Sequence, residues 1–234
     1  MIEFYYFPTP NCQKVAILLE ECGAEYQVRT TNITKGDQFA PAFLANFPNN
    51  RIPAIIDLDP ADGGDPLPVF ESGAILFYLA DKYRTLLPGD PRHRTIVHEW
   101  LAWQIAGLGP ICGQNHHFTG YAPAGQDYAI NRFVTETSRL YAVLDQRLSG
   151  RPFIAGDYSI ADIACFPWIA AHGKQGQALT DFPNIERWFE VIRARPAVAR
   201  AQLLADSVEP NPVVTEESRG FLFGQSASDV RKRA

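Results

Sequence analysis

The sequence lacks the features that mark membrane proteins, disulfide scaffolds and nucleic-acid-binding proteins. No apolar run approaches the roughly 18 residues that a membrane-spanning helix needs. Four cysteines, none of them in a CxxC pair, predict neither a metal site nor structural disulfides, and they favour a reducing, cytoplasmic compartment. With 21 Lys and Arg against 26 Asp and Glu, the net charge of −5 argues against non-specific binding of nucleic acid.

What remains is the composition of an ordinary globular protein. Hydrophobic residues make up 46% and charged residues 20% of the 234 residues, which excludes wholesale disorder. The first residues, MIEFYYFPTPNC, lack the basic start and small-residue cleavage site of a signal peptide. They predict a strand that runs directly into a turn.

The first 85 residues alternate between strand and helix patterns. Val15, Leu18, Leu19 and Cys22 follow the spacing of a helix with one buried face. Further β-favouring or apolar runs and further helical patterns follow. The predicted strands cover 2–6, 26–31, 52–56 and 69–70, and the later helices begin near 41 and 72. The predicted order is therefore βαβαββα.

Residues downstream of Pro88, Gly89 and Pro91 show helical periodicity almost throughout. Ser159 and Asp162 have the spacing of a capping box, so we assign them to folding rather than chemistry. We predict an α+β protein with a βαβαββα domain over 1–85, an all-helical domain over 92–205 and a polar tail over 206–234.

Four segments resemble cytosolic glutathione transferases: Phe7–Asn11, Asn50–Ile55, Phe70–Ile75 and Ser159–Ala164. Within that family the chain is similar to the nu class, the bacterial disulfide-bond oxidoreductases, most specifically in the segment Gly113–Phe118. The resemblance covers roughly residues 1–205. It implies a thioredoxin-like N-terminal domain and an all-α C-terminal domain. It also implies reduced or oxidised glutathione as cosubstrate, no metal, and a homodimer.

The resemblance implies that one end of glutathione binds where a strand ends and a helix begins. The Ser72 N–H and hydroxyl would hold the γ-glutamyl carboxylate at the positive helix N-terminus, and Glu71 would take the ammonium. In the family Pro53 follows a cis bond, so that the Ile52 peptide pairs with the cysteinyl backbone. Without the resemblance, Ser72 reads as a helix cap and Pro53 as a trans proline that opens a strand.

Three further binding residues are implied. Gln38 and Arg51 would lie toward the glycyl carboxylate, and Arg132 would reach a glutathione carboxylate across the dimer. The alternative for both arginines is an ordinary solvated surface charge.

The reacting sulfur is expected above the first turn, beside Thr9 and Asn11. A hydroxyl and a carboxamide can donate hydrogen bonds to a thiolate and so favour the reactive, ionised form. Tight-turn chemistry is the alternative for both residues. Cys12 departs from the nu-class pattern. It would form a mixed disulfide with glutathione if it faced the ligand, and we favour a buried, core position.

Three functions fit these residues. The first is reduction of a disulfide by bound glutathione thiolate, with Thr9 and Asn11 stabilising the sulfur. The second is conjugation of the same thiolate to a small electrophile. The third is a non-catalytic, glutathione-binding regulatory protein, since fold alone does not determine function.

Overall fold

The computed structural model describes residues 1–208 and 214–231. The chain divides into two compact units: residues 1–82 with the described part of 200–234, and residues 83–199. Within the described ranges, no helix combines the length and the apolar character that crossing a bilayer demands.

The first unit is built on a four-stranded mixed sheet with the strand order β2-β1-β3-β4. Strand β1 runs parallel to β2 and antiparallel to β3, which is antiparallel to β4. The strands are β1 Ile2–Tyr6, β2 Tyr26–Thr30, β3 Ala54–Asp57 and β4 Leu67–Phe70, and the helices are α1 Pro10–Glu21, α2 Pro41–Leu44 and α3 Ser72–Tyr83. The predicted order βαβαββα and the thioredoxin-like fold are therefore confirmed.

Helix α1 begins where the sequence provides both a cap and a proline. Thr9 is the N-cap residue, and its Oγ1 accepts a hydrogen bond from the Cys12 N–H at 3.3 Å. Pro10 occupies the first turn, where its missing N–H costs nothing. The buried face carries Val15, Leu18 and Leu19, as their spacing predicts.

Two sets of contacts hold α3 against the sheet, one toward each end of the helix. The Lys82 ammonium and the Tyr78 hydroxyl, both on α3, donate to the buried carboxylate of Asp57 at the end of β3. Near the other end of the helix, Phe70 packs against a cluster formed by Phe43, Phe47 and Ala54. The start of α3 is therefore held beside the start of β3.

The second unit is helical, as the periodicity predicts. Its helices are α4 Pro91–Trp103, α5 Gly109–His116, α6 Asp127–Leu148, α7 Ile160–Ile169 and α8 Pro183–Arg193, followed by the first residues of α9 Pro196–Val208. The capping box predicted from Ser159 and Asp162 is present at the start of α7. Asp162 is fully buried and also accepts hydrogen bonds from the Ile154 N–H at 2.9 Å and Trp188 Nε1 at 2.8 Å.

The segment predicted as a polar tail contains helical structure in its described part. Helix α9 ends at Val208, and α10 Glu216–Phe223 and α11 Ala227–Arg231 follow. The Phe221 ring lies 6.4 Å from that of Phe39, next to Gly36, whose missing side chain leaves space for it. The pattern of residues within α10 does not identify Phe39 as a partner, because the two segments lie far apart along the chain. The domain boundaries stay a prediction.

Candidate active site

A pocket of about 240 Å³ opens in the first unit where three chain segments meet. These segments are the start of α1, the loop before β3 and the turn from β4 into α3. Six of the nine predicted site residues line the pocket: Asn11, Arg51, Ile52, Pro53, Glu71 and Ser72. Asn49 and Phe70 complete its wall. Folding thus brings together residues that lie up to 61 positions apart in sequence, from Asn11 to Ser72.

The Ile52-Pro53 peptide bond is cis, as the resemblance implies. The Ile52 side chain packs against the Phe43, Phe47 and Ala54 cluster. The ladder of β3 begins only at Ala54, which pairs with Tyr5 on one side and Phe70 on the other. The Ile52 peptide therefore stands just outside the sheet, at the edge of the pocket.

Glu71 and Asn50 adopt left-handed backbone conformations, with φ values of 70° and 45°. Such conformations are costly for residues other than glycine, and they cluster at ligand sites. The Glu71 carboxylate accepts a hydrogen bond from Asn49 Nδ2 at 2.9 Å, and its backbone C=O accepts the first helical bond of α3. Asn50 is buried and donates to the Gln225 side chain at 3.2 Å.

Ser72 opens α3 and is almost completely buried. Its Oγ accepts a hydrogen bond from the Lys14 ammonium on α1 at 3.3 Å. The backbone N–H groups at this end of α3 carry the positive end of the helix dipole. This part of the pocket therefore favours an anionic group.

Thr9 and Asn11 flank the first turn of α1. Asn11 lines the pocket, whereas Thr9 does not line it and caps the helix. Thr9 therefore serves as a helix cap, which differs from both the catalytic role and the tight-turn role that the sequence offered for it.

Cys12 is buried in the core, with no exposed surface. Burial raises the pKa of its thiol to about 12, against smaller lowering effects of the Phe7 backbone, the Thr9 hydroxyl and the Lys14 charge. Cys12 is thus neither accessible nor ionised at neutral pH. Cys112 and Cys165 are also fully buried, whereas Cys22, which we expected in the core, is only partly buried at the end of α1.

Two of the predicted binding residues do not line the pocket. Gln38 lies in a short 3₁₀ turn, is 2% exposed and donates weakly to the Ile33 carbonyl at 3.4 Å. Its Oε1 is buried and accepts no hydrogen bond from the described residues. Arg132 belongs to α6 in the second unit, where its exposed side chain lies 3.6 Å from Glu136.

Sequence reasoning missed two residues at the site, Lys14 and Asn49. Lys14 lies three and four positions before Ile17 and Leu18, which are both buried, so helical spacing places it on an apolar face. That signal was available in the sequence. Asn49 gives no such signal, because its contact with Glu71 depends on the folded loop. No cluster of three or more metal-binding side chains occurs in the part of the chain that the structure describes.

The βαβαββα unit, with its cis-proline pocket, and the helical unit define a thioredoxin-like protein with an appended helical domain. Residues 1–81 match the model for the glutathione S-transferase N-terminal domain, and residues 117–196 match the model for the C-terminal domain. The chain belongs to the glutathione S-transferase family.

One relative and two solved structures are similar to this chain over most of its length. The chain is 50% identical over 206 residues to the disulfide-bond oxidoreductase YfcG of Escherichia coli, covering 88% of this chain and 96% of the relative. A glutathione transferase family member from Pseudomonas fluorescens, solved with two glutathione molecules bound, matches with a TM-score of 0.81 and 42% identity over 86% of this chain and 91% of the other. A glutathione transferase from Pseudomonas putida, solved with one glutathione disulfide per subunit, matches with a TM-score of 0.81 and 40% identity over 86% and 90%.

Proposed function

We propose that this protein is a glutathione-dependent disulfide-bond reductase in which the thiolate of bound glutathione is the nucleophile. One observation carries the choice of nucleophile. The pocket gathers five of the seven residues expected to bind glutathione, yet the cysteine on α1 is fully buried and its pKa is raised to about 12. A relative with 50% identity is a disulfide-bond oxidoreductase, which supports the reaction class.

The tripeptide would lie along the pocket with its γ-glutamyl end at α3. Its carboxylate would accept hydrogen bonds from the Ser72 N–H and hydroxyl, and its ammonium would face the Glu71 carboxylate. The Ile52 peptide, which stands outside the β3 ladder, would pair with the cysteinyl backbone. Arg51, exposed at the rim, would lie toward the glycyl carboxylate.

Gln38 is proposed as a second partner near the glycyl end. Its buried Oε1 accepts no hydrogen bond from the described residues, and such an acceptor is costly unless a ligand or water satisfies it. A peptide N–H of glutathione would fill that role once the Gln38 side chain had turned from the Ile33 carbonyl toward the pocket.

The sulfur would then lie at the N-terminal end of α1, beside Asn11. The Asn11 carboxamide and the Thr9 hydroxyl would donate hydrogen bonds to the thiolate. The positive end of the α1 dipole would stabilise the negative charge by a further free energy of about 0.3–1 kcal/mol. Each effect favours the ionised sulfur and lowers the thiol pKa toward neutrality.

The chemistry proceeds by two thiol–disulfide exchanges. The bound glutathione thiolate attacks one sulfur of the substrate disulfide, forms a mixed disulfide and releases one substrate thiolate, which takes a proton from water. A second glutathione thiolate attacks the glutathione sulfur of the mixed disulfide. This step yields glutathione disulfide and the second substrate thiol, so two glutathione molecules are oxidised for each disulfide reduced.

The reaction is tested by following the reduction of a small dialkyl disulfide by glutathione. Parallel kinetics with an aryl halide test conjugation, because both reactions would use the same activated sulfur. Faster turnover of the disulfide supports the proposal. Turnover of the aryl halide alone would replace it by conjugation, and binding of glutathione with neither activity would favour a regulatory role.

We also propose that the protein acts in the cytoplasm as a homodimer. All four cysteines are thiols rather than disulfides, and three of them are buried, which suits a reducing compartment. Arg132 is 56% exposed on α6 and would reach the ligand of the partner subunit. Light scattering tests the dimer, and a monomer at all concentrations would remove this role of Arg132.

A further inference from the structure

A buried lysine lies directly behind the pocket. Lys14 is 2% exposed, and it is surrounded along α1 by the buried residues Val15, Ile17 and Leu18. Lysine is almost never fully buried unless its ammonium is paired, because removing the charge from water is costly. An aliphatic residue would cover this helix face without that cost, so the ammonium itself requires an explanation.

The ammonium contacts Ser72, the residue that lines the pocket at the start of α3. Lys14 Nζ donates to Ser72 Oγ at 3.3 Å. A serine hydroxyl has two lone pairs and one proton. Because an ammonium can only donate, Lys14 occupies a lone pair and leaves the hydroxyl proton for another acceptor. The contact therefore determines the role of Ser72 as a donor.

We propose that Lys14 is a positioning residue that directs the Ser72 hydroxyl into the pocket as a donor and supplies the positive charge that selects a carboxylate there. The proposal rests on the proposed function. It adds that recognition of the γ-glutamyl end depends on a charge-assisted chain from Lys14 through Ser72 to the ligand. Such a chain polarises the hydroxyl, which strengthens its hydrogen bond to an anion.

The ammonium and the start of α3 act on the same ligand group. The backbone N–H groups at the α3 N-terminus favour an anion, and the Lys14 charge lies one hydrogen bond behind them. Charges separated by about 6 Å in a partly dry environment still interact strongly. The contribution of Lys14 should therefore depend on the carboxylate of the ligand and not on the rest of the tripeptide.

The test compares two ligands on the full-length protein by isothermal titration calorimetry. One is glutathione, and the other is 4-aminobutyryl-cysteinyl-glycine, which lacks only the γ-glutamyl α-carboxylate. We expect Lys14→Met to weaken glutathione binding by about 10- to 100-fold and to leave the affinity for the analogue within about twofold. Lys35→Met, which removes the same charge from an exposed site, should change neither affinity.

Each outcome decides a different point. Equal loss of affinity for both ligands would show that Lys14 only supports the fold and would overturn the proposal, as would an unchanged affinity for glutathione. If the Met variant does not fold, Lys14→Gln replaces it. This variant keeps a donor without charge, and a selective loss of glutathione affinity is again expected. Wild-type protein that binds neither ligand would overturn the proposed function together with this inference.

Discussion

Removal of the Cys12 sulfur separates the two possible nucleophiles. Cys12 sits on the first turn of α1, next to Thr9 and Asn11, where a cysteine would be expected to react. In the structure it has no exposed surface, and burial raises the pKa of its thiol to about 12. We expect Cys12→Ala to leave disulfide reduction by glutathione almost unchanged.

The magnitude follows from the pKa. At a pH of about 7.5, a thiol with a pKa of about 12 is ionised in only about three molecules in 100,000. A pathway through that thiolate would contribute little even if the substrate could reach it. Deleting one buried sulfur leaves a small cavity and should cost on the order of 1 kcal/mol of stability, or a Tm decrease of about 2–4 °C.

The assay is steady-state reduction of a small disulfide at saturating glutathione, well below the Tm of each protein. We expect the kcat of Cys12→Ala to stay within about threefold of wild type. Cys165→Ala, which removes an equally buried sulfur from the second unit, is the matched control. A loss of about 100-fold or more in folded Cys12→Ala, with Cys165→Ala unaffected, would refute bound glutathione as the sole nucleophile.

Three further predictions concern the pocket, the core of the second unit and the C-terminal segment. Ser72→Ala should weaken calorimetric binding of glutathione by about 10- to 100-fold, because a hydrogen bond to a charged group is lost; unchanged affinity would exclude Ser72 from the site. Asp162→Ala should lower the free energy of unfolding, measured by urea denaturation, by at least about 3 kcal/mol. The reason is that buried donors, Trp188 Nε1 among them, lose their acceptor. Burial raises the folded pKa of Asp162 to about 6, so its ionisation destabilises the fold as pH rises from about 4 to about 6. The stability advantage of wild type over Asp162→Ala should therefore shrink across that window, and an advantage that grew would contradict the assignment. Phe221→Ala should lower the Tm by about 2–6 °C, because it loses the contact with Phe39; an unchanged Tm would show that this contact contributes nothing.

The sequence was sufficient for features that depend on local pattern. The burial of Val15, Leu18 and Leu19 follows from helical spacing, and the capping box of Ser159 and Asp162 follows from residue type. The resemblance implied the cis bond before Pro53, which is confirmed, and the grouping of Glu71 and Ser72 with Ile52 in one pocket.

Features that depend on long-range contacts were not predicted. Phe221 meets Phe39, and Gln225 meets Asn50, across more than 170 residues of sequence. Periodicity within one segment does not identify its distant partner. Gln38 lies outside the pocket lining, because its side chain is turned toward the Ile33 carbonyl.

The acidity of glutathione bound to the Cys12→Ala protein tests most directly whether the pocket activates the glutathione sulfur. The ultraviolet absorbance of the thiolate, followed as a function of pH, reports this ionisation without a contribution from Cys12. We expect the bound thiol to titrate at least about one pH unit below the ordinary cysteine pKa of about 8.5. A bound thiol that titrates at or above that value would show that the pocket does not activate the glutathione sulfur.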